Sequence, residues 1–284
     1  MNGKNLATKG IHNREGIGIY SIVLVIALIV IFPYLWMGVT SFKPLEEFFS
    51  YPLRWLSEQW TIDHYRAVLG DPRFLRALLN SLMISFVVTG LSLLVSIPAG
   101  YGLTKVRLPG ARPILLLVLS SQFLPPMIFF VPFYIYLSKF QLLNTLSGLI
   151  LCYLSITLPI CTWMVAAFIH QIPKDFEEVA RIEGAGEWQI LLRIILPLSV
   201  HGVITAGVFA FIQAWQEYIF ALLYTSTPKA QTAPVILFYF LGQHQIDYGR
   251  LMSASILLSL PIIVPFAFVQ RYFQQGLTSG GIKG

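Results

Sequence analysis

Six stretches of this chain stay apolar for long enough to cross a lipid bilayer: roughly 17–40, 79–103, 113–137, 146–169, 198–224 and 251–272. About 30 Å of hydrocarbon is crossed by ~20 helical residues. Lipid offers no partners for backbone amides, so each stretch is predicted to be a helix rather than an open strand. Of the 284 residues, 56% are hydrophobic and only 11% are charged, well under the roughly 25% charge of a soluble domain. The mean hydropathy of +0.71 agrees. The expected fold is all-α, a polytopic membrane helix bundle with six transmembrane helices. The first stretch is longer than a signal core and lacks a small-residue cleavage site, so it reads as a retained span.

The net charge of +6 raises nucleic acid as a partner, but the basic residues sit in loops between apolar spans. There they follow the positive-inside bias. No basic stripe with interleaved aromatics is present, so no nucleic acid is expected. Lys4, Lys9 and Arg14, then Lys105, Arg107 and Arg112, then Lys174, Arg181 and Arg193, and finally Arg271 and Lys283 share one side. Opposite them the short loops hold only Lys139, Lys229 and Arg250. Both termini are therefore expected in the cytoplasm. The domains read as a cytoplasmic tail, 1–16, a transmembrane domain, 17–273, and a cytoplasmic tail, 274–284. The outer segment 41–78, with Trp55, Trp60, His64 and Tyr65, is too short for an independent domain. It suits either a cap touching an extracytoplasmic partner or a solvated loop with interfacial aromatics.

One cytoplasmic stretch, 173–197, is charge-dense between two apolar spans. Pro173 suits a first helical position. Asp175 and Glu177 suit the positive end of a helix dipole. Gly184 and Gly186 supply a break, and Pro197 limits a second helical pattern that starts at Glu187. Two short helices joined at a glycine bend, outside the bilayer, are predicted.

Inside the spans, Ser81, Ser85, Thr89, Ser92, Ser96 and Gly100 share one helix face. This face suits close helix packing, or the lining of a polar passage. Pro125, Pro126 and Pro132, Pro159, and Pro261 with Pro265 mark bends. The fifth span carries Gln213, Trp215, Gln216, Glu217 and Tyr218. A carboxylate at mid-membrane costs about 2.5–3.5 kcal/mol on insertion scales, so Glu217 faces a cavity on a transport path or a buried structural network. Gln213 lies four residues away and shares its face, whereas Gln216 is expected on another. The run 235–241 after Pro234 is too short to span and suits a re-entrant helix.

Cys152 and Cys161 lie in one apolar span and read as packing residues. The five histidines are scattered and make no metal set. There is no P-loop, no HExxH and no GxSxG, so neither ATP binding nor hydrolysis is expected on this chain.

The order Glu178, Ala180, Gly184, Ala185 and Pro197 resembles the EAA loop of ABC importer permeases. Val179 replaces the family's usual alanine and Glu183 its usual aspartate. Further patches resemble the maltose-type sugar branch. These are Asn80-Ser81-Leu82, Pro125-Pro126 with Pro132, Ala214-Trp215-Gln216-Glu217-Tyr218, Asp247-Tyr248-Gly249-Arg250-Leu251-Met252, and the tail Gly276-Leu277-Thr278 with Gly281, Lys283 and Gly284.

The resemblance implies a permease subunit of an ATP-driven, binding-protein-dependent importer in a bacterial or archaeal inner membrane. The expected solute is a mono- or oligosaccharide or a sugar alcohol, with a glycerol-phosphate ester as the alternative. The implied partners are a second, non-identical permease, an ATPase dimer carrying ATP and Mg, an extracytoplasmic solute-binding protein and membrane lipid. Phe176, Glu177, Glu178, Val179, Ala180, Glu183, Gly184 and Ala185 are then the cytoplasmic coupling-helix loop that docks on the ATPase, and Gly281, Lys283 and Gly284 reach it from the tail. Gln213, Trp215, Gln216, Glu217 and Tyr218 are candidates for the substrate path. An ion-coupled secondary transporter is the rival class; it needs intramembrane charges and internal repeats, and only Glu217 is available.

Overall fold

The computed structural model describes residues 4–52, 54–106, 108–241 and 246–280. Arg107, His244, Gly281, Lys283 and Gly284 lie outside the described residues. Among the described residues the chain is helical with no strand. It forms two compact units, one of residues 1–70 with 240–256 and one of residues 71–239 with 257–284.

In the first unit, α1 (Lys4–Ser41) begins within what the sequence suggested as a tail. Extending a formed helix costs far less than starting one, and no proline intervenes before Pro33. Within Gly18–Ser41 the most apolar 18-residue window has a mean hydropathy of 2.7 and no buried residue, as befits a helix facing lipid or another subunit, whereas Thr40 and Ser41 at its end are buried. The following segment is ordered, through side chains that fold back on its own backbone. Lys43 is buried, donates to Arg54 O at 2.6 Å, and lies 4.8 Å over the Trp36 ring. The hydroxyls of Ser41 and Tyr65 meet at 2.8 Å. His64, on α2 (Asp63–Leu69), meets Lys43 O at 2.9 Å. Its ring fills the space where a Cβ on Gly249 would sit, 2.2 Å away. Phe48 stacks on Tyr248, the first residue of α13 (Tyr248–Gly280). So His64 and Tyr65 anchor the segment, while Trp55 and Trp60 stay exposed. The helix α13 also runs into the stretch the sequence suggested as a tail.

In the second unit, α3 (Pro72–Thr104) starts with Asp71 as its cap, accepting from Arg73 N at 2.8 Å, and with Pro72 in the first turn. The side-chain hydrogen bonds from Arg73 hold the Asp71 carboxyl below the usual carboxylate range. The helix packs along α6 (Leu146–His170) through its small-residue face. The Ser92 and Thr157 hydroxyls meet at 2.8 Å, and those of Ser96 and Thr162 at 3.1 Å. A Cβ on Gly100 would stand 3.0 Å from Ala166 N. Of the two roles open to this face, packing is the one observed. Cys152 and Cys161 are buried, as their apolar context suggests.

Two of the six apolar stretches are not single helices. The third divides into α4 (Ala111–Ser120) with a short turn to Phe123, and a segment from Pro126 that continues as α5 (Phe130–Lys139). The two halves meet at 93°. Leu124 and Pro125 each precede a proline, which forces both into extended backbone, at ψ 129° and 128°. Two such residues in a row turn the chain rather than kink it.

The chain bends by 80° at Ser199, where the fifth stretch begins. Before the bend come α8 (Glu187–Ile190), a π turn over Leu191–Ile195 and α9 (Leu196–Leu198). Pro197 has no N–H for the carbonyl four residues back, which favours the wider turn. Beyond the bend, α10 (Val200–Gln216) lies against α6 and α3. Gly202 allows this, because a Cβ there would fall 2.2 Å from the Phe168 ring. The stretch breaks again at Glu217 (ψ 127°) before α11 (Ile219–Tyr224). The short run after Pro234 lies in α12 (Ala233–Tyr239). It is pinned to α3 by Asn80, which donates to Lys229 O and Gln231 O at 3.0 and 2.9 Å, and by Ser81 Oγ, which accepts from Ala233 N at 2.8 Å.

Candidate functional site

The first candidate site is the bent loop. Its first helix, α7 (Asp175–Ile182), begins two residues after Pro173, with Asp175, Glu177 and Glu178 in its first turn. Gly184 ends it at φ 86°, a left-handed angle that glycine reaches without strain. The bend is closed by Ala185 N donating to Ala180 O at 2.9 Å. Gly186 then starts α8, where Gln189 Oε1 accepts from Gly186 N at 3.1 Å.

Inward, Ala180, Ile190, Leu191 and Ile195 are buried against Tyr101, Val165 and Ile169. Outward, Phe176, Val179, Ile182 and Trp188 are exposed, with Ile182 at 86%. The sequence candidates thus divide. Phe176, Glu178, Val179, Glu183 and Gly184 are exposed and Ala185 is half-buried, but Glu177 and Ala180 face the bundle.

Glu177 is held there by charge. Its Oε1 lies 2.9 Å from Lys105 Nζ, with both side chains 2% exposed. Lys105 also donates to Ile172 O. Arg181 forks onto Glu187, Nε to Oε1 at 3.0 Å and Nη2 to Oε2 at 3.2 Å, and Tyr101 donates its hydroxyl to the same carboxylate. The bond to Glu187 raises the pKa of Arg181 further. Ile182, Trp188, Lys105 and Tyr101 escaped the sequence reading. Ile182 and Trp188 could have been found as apolar residues in a charged stretch; nothing in the sequence pairs Lys105 with Glu177.

The second candidate site is a cavity of about 420 Å³ at the break after α10. Gln213, Gln216, Glu217 and Tyr218 line it with Tyr153 and Thr157 of α6. Gln216 was expected on another face than Gln213, yet it donates to Gln213 Oε1 at 3.3 Å. Trp215 points elsewhere; its Nε1 donates to Leu258 O at 3.2 Å and its ring stacks on Phe211. The Glu217 carboxylate accepts from Phe220 N at 2.9 Å and Ala221 N at 3.3 Å. It therefore caps α11, satisfying N–H groups that a helix start leaves open. Among the described residues no cluster of His, Cys, Asp or Glu is placed to hold a metal.

Known proteins share this architecture and sequence. Residues 92–279 match the family described as binding-protein-dependent transport system inner membrane component. The chain is 33% identical over 264 residues to the trehalose/maltose transport system permease protein of Thermococcus litoralis, covering 92% of this chain and 94% of that protein. It is 32% identical over 254 residues to the trehalose transport system permease protein of Mycobacterium tuberculosis, covering 89% of this chain and 92% of the other. Among solved structures, one chain of a bacterial ABC transporter involved in import of the acidic polysaccharide alginate matches with a TM-score of 0.75. That match has 20% identity and covers 96% of this chain and 99% of the other. The broken spans, the bent loop and the sequence matches lead to one assignment: this chain belongs to the binding-protein-dependent transport inner membrane components, the permease subunits of ABC importers.

Proposed function

We propose that this chain forms half of a sugar passage and draws its power from an ATPase on another chain. The observation that carries the reading is the two-sided loop. Its inner face is buried on α3 and α6, while Phe176, Val179 and Ile182 stand outward and exposed beside Glu178. Such an exposed apolar ridge suits insertion into a cleft on a partner. An exposed ion pair at Glu178 is worth about 0–1 kcal/mol, so it sets register while the apolar contacts carry the load. ATP and Mg belong to that partner. The loop and both termini lie in the cytoplasm of a bacterial or archaeal cell, and Gly281, Lys283 and Gly284 are the tail residues that contribute to binding the same ATPase. A second, non-identical permease completes the passage, and a solute-binding protein delivers solute at the outer face, where Trp55 and Trp60 are exposed.

The solute is a neutral carbohydrate. The cavity offers two amides, two tyrosines and a threonine, with one carboxylate and no cation among its lining residues. This set suits hydroxyl-rich solutes and disfavours a glycerol-phosphate ester, which needs a positive partner. The sugar names carried by the relatives point to a carbohydrate. Glu217 spends its carboxylate on Phe220 and Ala221, so it shapes the wall, while Gln213, Gln216 and Tyr218 face the solute. An ion-coupled mechanism would need that carboxylate free to exchange a proton or cation.

The alternating-access cycle follows by rigid movement of the loop with the helices it sits on. Gly184→Pro tests this. Proline fixes φ near −65°, against 86° here. The expected outcome is loss of solute-stimulated ATP hydrolysis in the assembled importer. Undiminished stimulation would remove the loop from the mechanism.

A further inference from the structure

We infer that Lys105 is a positioning residue whose ion pair with Glu177 fastens the bent loop to the end of α3, so that loop and helix move as one body. The inference rests on the reading of the loop as the ATPase contact. Lys105 follows α3 directly as its C-cap residue. Its ammonium, 2.9 Å from Glu177 Oε1, also meets the backbone of Ile172. One cation therefore joins α3, the connection after α6 and the first turn of α7. The second loop helix has a fastening of its own. Glu187, at the start of α8, takes the Arg181 fork and the hydroxyl of Tyr101, again from α3. Arg181 Nη2 stands 3.6 Å from Glu177 Oε2. Lys105, Glu177, Arg181 and Glu187 thus alternate in sign across both loop helices, and α3 holds the two ends.

Stability alone does not call for this arrangement. A buried ion pair adds little beyond an apolar pair of equal volume, yet separating its partners leaves buried charges uncompensated and is strongly disfavoured. Packed apolar helices, by contrast, slide by small shears. A loop loaded through its outer ridge transmits motion only if its inner seat does not slip. The adjacent acids have split the work: Glu178 faces out and Glu177 locks inward.

The test uses the assembled importer in liposomes with its solute-binding protein and a radiolabelled sugar. It reads sugar moved per ATP hydrolysed, per assembled complex. Lys105→Met is expected to lower that ratio about tenfold, with a cross-link from Val179→Cys to the ATPase still forming. Adding Glu177→Met removes the stranded acid; the yield of complex should recover and the ratio should not. Recovery of the ratio in the double variant would make the pair a folding element only and would overturn the inference. An unchanged ratio in Lys105→Met would do the same. Glu187→Gln, on a half-exposed side chain, leaves the core intact and is expected to lower the ratio about threefold; an unchanged ratio there also counts against the inference. Absence of the cross-link in the otherwise native complex would instead refute the docking reading.

Discussion

Replacing Glu217 separates a structural carboxylate from a solute ligand. Its two oxygens accept from Phe220 N at 2.9 Å and Ala221 N at 3.3 Å, and both of those residues are buried. A hydrogen bond to a charged group contributes about 1.5–3 kcal/mol, and a buried donor left open costs about 1–3 kcal/mol. The 3.3 Å contact belongs at the low end. Glu217→Leu strands both donors and is expected to destabilise the chain by about 2–4 kcal/mol. Glu217→Gln keeps one carbonyl oxygen for Phe220 N and loses only the longer contact, so about 1 kcal/mol is expected. The assay is thermal inactivation of the purified complex, paired with uptake of sugar delivered by the solute-binding protein. Glu217→Gln should retain most uptake, and Glu217→Leu should fail in stability before it fails in transport per folded molecule. If Glu217→Gln abolished uptake with unchanged thermal stability, the carboxylate would be acting directly on the solute or a coupled ion, and the capping argument would be wrong.

Two further substitutions probe the scaffold around the cavity. Gly202→Val places side-chain atoms where the Phe168 ring lies, since even a Cβ falls 2.2 Å from it; overpacking of this kind costs about 1–3 kcal/mol or more. The yield of folded protein should drop, and Phe168→Ala in the same chain should recover part of it. Asn80→Leu removes both bonds that hold Lys229 O and Gln231 O. A loss of about 1–3 kcal/mol is expected, with faster proteolysis of the 225–232 connection; unchanged cleavage would mean that α12 is held by its apolar contacts alone.

Hydropathy carried the all-α architecture, because lipid forces backbone amides to pair locally; of the six expected spans, three are single helices long and apolar enough to cross, two are bent pairs, and the last is a shorter apolar helix among the described residues. The glycine bend at Gly184 was legible for a similar reason: few residues other than glycine adopt φ 86° cheaply. What escaped was where spans break. Pro125 and Pro126 announced a disturbance, but its size depends on two consecutive extended residues, which a proline count does not convey. Glu217 breaks the fifth stretch with no glycine or proline beside it. The break exists because a side chain captures the next helix's amides, while Gln216 meets Gln213 because residues three apart on α10 are neighbours on one helix face. Trp215 looked like part of the same set, yet it turns to Leu258. The Lys105–Glu177 pair was invisible for a third reason: it joins residues distant in sequence, and opposite charges in two loops look like ordinary solvated ones.

The loop's two faces divide identity from attachment. Phe176, Val179 and Ile182 stand on one side, and the Lys105, Glu177, Arg181 and Glu187 chain on the other. If the loop docks as proposed, the outer side chains choose the motor and the charged seat is indifferent to that choice. Grafting another ATPase onto the same gate then calls for rewriting a thin rind of apolar residues, with the hinge pin left untouched.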